Sequence, residues 1–460
     1  MKENNPHILG TEKVGKLLLE YSIPAIIGMT LTSLYNIIDS VFIGHGVGAM
    51  AISGLAISFP LMNLLVAFCT LVGVGGATIS SIRLGQKDTD GAEKVLGNVT
   101  VLCVINSIFY GGITLLFLDQ ILFFFGASHD TLPYARDFMQ IILIGSPVTY
   151  VMIGLNNIMR ATGYPRKAML SSMLTVGCNI ILAPVFIFNI ILAPVFIFWL
   201  GWGIRGAATA TILSQFAGMI WVLSHFMQEK SYIRFKKGIF KLRKRIVENI
   251  FSIGMSPFLM NVCASAIVII FNKSLLLYGG DLAIGAYGIL NRLLMLFVMV
   301  IMGLTMGMQP IVGYNHGAHK FGRVKQTLKY CMIAGGCITS LGFVFSELFP
   351  NLVVNMFTDD KELTALARTG LQIGVLMFPF VGIQIVISSF FQSIGKAKIS
   401  IFLSLSRQLL YLLPCLLLLP YWWGLNGIWL SMPVSDLLAF ITACLMLAHH
   451  IKKLNKITEV

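Results

Sequence analysis

Long apolar runs, interrupted at intervals by short polar clusters, set the pattern of the chain. Stretches free of Asp, Glu, Lys and Arg occupy 40–82, 95–118, 138–159, 168–204, 206–228, 249–272, 293–319, 369–395 and 408–435. A helix needs about 20 apolar residues to cross a bilayer core. With one or two charges allowed in the remaining runs, the pattern predicts twelve spanning helices. They run over 17–43, 51–82, 95–118, 135–159, 168–198, 204–227, 249–277, 282–312, 326–349, 366–393, 399–420 and 425–448. The first long run holds parts of two spans, divided near Gly44, Gly46 and Gly48. The fold class expected is an all-α polytopic membrane protein.

Composition narrows the function classes. Hydrophobic residues make up 57% of the 460 and charged residues 11%, where a soluble domain carries about a quarter. Mean hydropathy is +0.84. These values exclude an ordinary soluble enzyme, a nucleic-acid-binding domain and a disordered chain. The formal charge of +14 reads as topology, because cytoplasmic loops collect Lys and Arg. Of 33 basic residues, 26 lie in the termini and the even-numbered connections. The other side holds Arg136, Arg205, Lys273, Lys361 and Arg368, and Arg292 and Arg407 fall inside spans. Both termini are therefore expected in the cytoplasm, in the cytoplasmic (inner) membrane. The first apolar segment carries Glu20 and has no A-x-A-like site, unlike a cleavable signal. The eight cysteines lie in apolar stretches and read as packing residues.

The chain also repeats itself. Pro24 and Pro257, like Asp39 and Asn272, are 233 apart, and Gly76 and Gly307 are 231 apart. R-A-T-G (160–163) and Q-S-I-G (392–395) are 232 apart. Two halves of six spans in the same sense follow, related by a pseudo-twofold axis along the membrane normal. The lobes are expected at 1–228 and 246–460, joined by a solvated basic linker, 229–245, that also pairs with anionic headgroups.

One landmark breaks this spacing. Gly203 and Gly424 are 221 apart, because N-I-I-L-A-P-V-F-I-F stands twice, at 179–188 and 189–198. Ten helical residues add about 15 Å and about 1000° of rotation. Span 5 is then too long for a straight crossing, and Pro184 and Pro194 favour a break. Either the duplication impairs coupling or it is accommodated with little effect.

These motifs resemble the MATE (multidrug and toxic compound extrusion) transporters over essentially the whole chain, and the DinF-like and MepA-like bacterial branch within them. The carrying residues are N-I-I-D-S-V-F-I-G (36–44), R-A-T-G (160–163), the decamer, and G-W-G-I-R-G-A-A-T-A-T-I-L-S-Q (201–215). In the second half they are G-M-Q-P-I-V-G-Y-N-H-G (307–317) and S-R-Q-L-L-Y-L-L-P (406–414). The resemblance implies an antiporter that exports organic cations or amphipathic compounds in exchange for H+ or Na+. Its two lobes open alternately to each side.

Candidate residues follow from charge in an apolar setting. Asp39 is the only acid in 21–82. An intramembrane carboxylate is expensive and usually functional, and the resemblance makes it the span-1 coupling acid. The plainer alternative is an acid near the interface, bonded to Asn36 or Ser40. The family's span 5 often has Asn followed four residues later by Asp-Pro. Here Asn179 and Asn189 are followed by Ala183 and Ala193, so the second acid is missing from both copies. Thr211 matches another polar residue of that site. With one carboxylate gone, H+ is favoured over Na+. Spacing leaves open which Asn is in register.

The second half is poor in acids. Arg407 and Asp436 are expected either to pair across the lobe or to act on substrate or in gating. Arg292, and Asn272 opposite Asp39 in the repeat, are candidates of the same kind. His316 and His319 have no ligand cluster around them, and no nucleotide-binding or hydrolytic motif is present. The expectation is a monomeric transporter of drug-like molecules in contact with lipids, without cofactor or nucleic acid. Alternatives are a flippase of lipid-linked precursors, a membrane-embedded enzyme, and a coupling-impaired variant.

Overall fold

The computed structural model describes the backbone of residues 6–46, 49–188, 203–355 and 360–458. It describes their side chains apart from residues 6, 32–46, 49–50, 52, 183–188, 281, 353 and 453–458. Among the described residues every regular element is helical. The first half holds α1 (Val14–Gly46), α2 (Ala49–Gly85), α3 (Thr89–Leu116), a short α4 (Leu118–Phe124), α5 (Leu132–Ile144), α6 (Ser146–Ala161), α7 (Pro165–Phe188) and α8 (Gly203–Met227). The second half holds α9 (Lys244–Gly317), α10 (Phe321–Leu348), a short α11 (Pro350–Asn355), α12 (Lys361–Gly374) and α13 (Phe378–Ser393). It ends with α14 (Ala397–Leu405), a π-helix (Ser406–Leu412) and α15 (Leu413–Thr458).

Two long elements each contain two spans. α9 is interrupted at Gly280, where φ is 68° and ψ −167°. α15 is interrupted at Gly424, where φ is 54° and ψ −133°. The apolar stretch Ala397–Lys452 has 56 residues, far more than a core of about 30 Å can hold in one crossing. Counted this way, the described helices supply the twelve spans in two six-span lobes.

Spans 4 and 10, predicted as single runs, are bent pairs. α5 meets α6 at 55°, and α12 meets α13 at 54°. Pro147 and Pro379, 232 apart, begin α6 and α13. Proline has no N–H to give the preceding turn but suits the start of a helix, so each break falls just before it. The repeat also shows in the left-handed backbone positions. Lys87 (φ 63°) matches His319 (57°), Gly163 (106°) matches Gly395 (74°), and Gly203 (50°) matches Gly424 (54°).

The chain divides into two compact units that differ from the lobe boundaries read from sequence. One is Met1–Ile8 with Ile27–Gly254, the other Leu9–Ile26 with Met255–Val460. Glycines explain the exchange. In the first unit a Cβ at Gly75 would strike the Ile250 carbonyl, and one at Gly254 the Leu71 carbonyl. In the second, Cβ atoms at Gly303 and Gly307 would strike Ile26 and Ser22. Ser22 Oγ donates to the Leu304 carbonyl at 3.4 Å. Backbones this close leave room only for hydrogen atoms at those positions.

The backbone of the basic linker is strapped down, while its basic side chains from Lys236 to Arg245 stay exposed. Lys236 pairs with the buried Glu93 at 2.6 Å. Asn98 Nδ2 donates to the carbonyls of Lys241 (3.1 Å) and Ile239 (3.4 Å), and its Oδ1 accepts from Arg243 N–H at 2.9 Å. An amide that serves three backbone groups holds the linker against the start of α3. Within the first unit α2 packs on α3 and α6, and α7 on α8. In the second unit α10 packs on α13, beside a core that includes Phe271, Leu290, Leu371, Phe378 and Trp429.

Candidate functional site

In the first unit a polar seam runs between α7 and α8. Asn179 and Thr211 are both buried. Asn179 Nδ2 donates to Thr211 Oγ1 at 3.3 Å, and Thr211 Oγ1 donates to the Ala207 carbonyl at 3.1 Å. One turn further along α8, Gln215 Oε1 accepts from the Thr149 hydroxyl of α6. Another turn on, Gly218 lies against Thr175 Oγ1 and Met152. Residues 211, 215 and 218 share one face of α8, and 175 and 179 share one face of α7, as i, i+4 spacing requires.

α7 contains all of 179–188, and its Asn179 meets Thr211. Asn189 and the second copy lie outside the described residues, so the long span 168–198 is described only through Phe188. Asp39 and Asn36 are helical residues of α1 in the same unit, and their side chains lie outside the described ones. The sequence reading missed Gln215 and Thr149. The signal was available, since Gln215 lies four residues after Thr211 on the apolar α8. Tyr150 was missed as well: its hydroxyl is buried and has no hydrogen-bond partner among the described residues.

The second unit carries its charge elsewhere. Arg407 Nε donates to Asp436 Oδ1 at 2.8 Å, and Asp436 is only 7% exposed. Arg407 lies in the π-helix Ser406–Leu412, a widened turn of a kind that often marks functional positions. Within that helix Tyr411 shares a hydrogen bond of 2.7 Å with Thr442, and Gln408 Oε1 is buried without a partner among the described residues. The structure separates the other two candidates from this pair. Asn272, in the first span of α9, has a buried Oδ1 without a hydrogen-bond partner among the described residues. Arg292 is exposed and forms no ion pair among the described residues, so the pairing expected for it is not found. Its position on the exposed face of the second α9 span is the reason.

A helical membrane protein of two six-span repeats, each with bent fourth span and polar interior, defines a class of multi-pass transporter. The MatE family model matches residues 24–185 and 257–417, two stretches set apart by the offset of the internal repeat. The chain belongs to that family. Among curated proteins it is 28% identical over 448 residues to the multidrug export protein MepA of Staphylococcus haemolyticus, covering 97% of this chain and 95% of that one. The MepA of Staphylococcus aureus strain MSSA476 is 27% identical over 455 residues, covering 97% and 96%. Among solved structures, the MATE multidrug transporter DinF-BH, solved as a ligand complex, is 32% identical, with a TM-score of 0.86 over 96% of both chains. A MATE in the bent conformation gives a TM-score of 0.91 at 23% identity, over 99% of both chains.

Proposed function

We propose that the protein is a multidrug efflux antiporter of the cytoplasmic membrane, with both termini in the cytoplasm. It exports organic cations or amphipathic compounds in exchange for protons, by alternating access. The observation that carries this reading is the seam of buried Asn179, Thr211 and Thr149 with half-buried Gln215, in the same unit as Asp39, the only acid in 21–82. The relatives' description as multidrug export proteins and the ligand-bound DinF-BH relative support the transported class. Protons are favoured over sodium because the seam offers hydroxyl and amide oxygens but no second carboxylate. Ala183 stands where the family often has that acid.

Protonation neutralises Asp39 and removes the penalty for holding a charge in the membrane core. It drives transport only if the two conformations differ in their affinity for the proton. The test is efflux of a fluorescent cation from proteoliposomes with and without a pH gradient. Asp39→Asn is expected to abolish gradient-driven efflux, and Asn179→Ala to lower it more than Asn189→Ala does. Undiminished gradient-driven efflux by Asp39→Asn would overturn the coupling role.

A further inference from the structure

A polar groove in the second unit takes no part in the transport reading. It lies between α11 and α12, has a volume of about 750 Å³, and is lined by Asn351, Lys361, Thr364, Arg368, Thr369 and Gln372 among others. The α12 residues recur at i, i+3, i+7, i+8 and i+11, so one helix face supplies them. The opposite face of α12, with Ala367, Gly370, Leu371 and Gly374, is buried.

The internal repeat makes this groove a controlled comparison. At the offset of 232, Arg368 corresponds to Arg136, Asn351 to Asp119, Thr369 to Asp137 and Lys361 to His129. In the first unit both carboxylates are used. Arg136 Nε lies 3.4 Å from Asp119 Oδ1, and Arg205 Nη2 lies 2.7 Å from Asp137 Oδ1. In the second unit both carboxylates are replaced by neutral side chains, and Asn426 stands at the position of Arg205. The arginine remains, and a lysine is added, with Asp360 beside it where the first unit has Ser128.

Neither Lys361 nor Arg368 forms an ion pair among the described residues. The neighbouring acids among the described residues are engaged otherwise. Asp360 Oδ1 accepts from the Leu363 N–H at 2.8 Å as the cap of α12, and Glu347 Oε2 accepts from Gln372 Nε2 at 3.5 Å. Glu362 lies on α12 but off the groove face.

Two cations with no carboxylate among the described lining residues, set among amide and hydroxyl donors, suit an oxyanion with several acceptor oxygens. A guanidinium binds such a group through two parallel N–H donors, and an ammonium adds a mobile point charge. A phosphate group offers more acceptor oxygens than a carboxylate and a charge that both bases can share. We propose that this groove binds a phosphate-type anion, either a phosphodiester headgroup of a surrounding lipid or a free phosphate group.

The test is isothermal titration of the purified full-length protein in a non-ionic detergent. One arm uses inorganic phosphate, the other short-chain phosphatidylglycerol. Saturable binding of at least one probe is expected. Arg368→Gln and Asn351→Asp should each weaken it by about tenfold or more. Asn351→Asp keeps every base and restores the acid of the first repeat, so it separates neutralisation of Arg368 from misfolding; unchanged size-exclusion profiles confirm folding. Binding of the lipid that excess inorganic phosphate does not displace assigns the site to a headgroup, and binding of inorganic phosphate alone assigns it to the free anion. Absence of saturable binding by both probes, or equal affinity in the wild type and both variants, overturns the proposal.

Discussion

The two lobes share a backbone and differ in where they keep polar groups. Their fourth spans bend by 55° and 54°, and three pairs of left-handed residues fall at matching positions. Yet the first lobe buries a neutral seam of amides and hydroxyls, while the second buries the ion pair Arg407–Asp436. Gln215 and Asp436 occupy equivalent positions, 221 apart. Gln215 bonds to Thr149 on span 4, whereas Asp436 bonds to Arg407 on span 11. What the repeat holds constant is backbone conformation, through Pro147 and Pro379 and through the glycines at close helix contacts. A buried polar position demands only some satisfied partner, so partner and charge diverged.

The largest effect expected tests that difference directly. Arg407→Ala strands the buried Asp436 and should destabilise the protein by about 3–5 kcal/mol, read as lost folded protein in detergent thermal unfolding. Joint replacement of Arg407 and Asp436 by Leu should recover folding, because no lone charge remains. In the first lobe Gln215→Leu removes only a neutral hydrogen bond, an effect of about 1 kcal/mol. Equal losses in the two lobes would break the comparison. Loss of efflux in the well-folded double variant would show that the pair serves transport as well as folding.

Next come the glycine contacts, where the lobes should behave alike. Gly75→Val and Gly307→Val each force a side chain into the neighbouring backbone. Each should lower thermal stability by at least about 1–3 kcal/mol. A tolerated valine on one side only would mean that just one lobe packs its borrowed segment tightly.

The smallest effect lies at the start of spans 3 and 9. Asp88 and Lys320 have nearly the same backbone, φ −89° and −87°. Asp88 caps α3 by accepting from Gly91 N–H at 2.8 Å, whereas Lys320 Nζ donates to the Gly10 carbonyl at 2.8 Å. Partial burial pushes the Asp88 carboxyl up. The Gly91 amide and the Arg83 guanidinium outweigh it and hold the group below its ordinary range. Its stabilisation is therefore complete above the ordinary carboxylate pKa of about 3.9 and is lost as pH falls through the lower folded value. Asp88→Ala should cost about 1 kcal/mol at neutral pH, and the gap to wild type should close in acid.

Much of this was legible in the sequence. Twelve spans and their pairing follow from hydropathy and from recurrent Pro and Gly, because lipid enforces both. Arg407–Asp436 was legible because a buried charge needs a counter-charge. The bends were missed although Pro147 and Pro379 stood in register, since hydropathy does not distinguish a bent span from a straight one. The docked linker was hidden because Asn98 and its partners lie more than 140 residues apart. Whether Arg292 would pair was not legible, because its exposure depends on helix rotation, which the apolar run leaves undetermined. Spacing could not choose between the decamer copies; Asn179 of the first contacts Thr211, and Asn189 lies outside the described residues.

The exchange of opening segments also sets an order of biogenesis. The surface around Leu71 and Gly75 is covered by Ile250 and Gly254, which a ribosome makes only after the entire first half and the linker. The segment Leu9–Ile26 is made first, but belongs with Leu304 and Gly307. The first lobe is not finished when its own six spans have been inserted, whereas the second finds its borrowed segment already made. A gene cut within the linker would give two fragments, each lacking a piece that the other carries, so only their co-expression would rebuild the transporter.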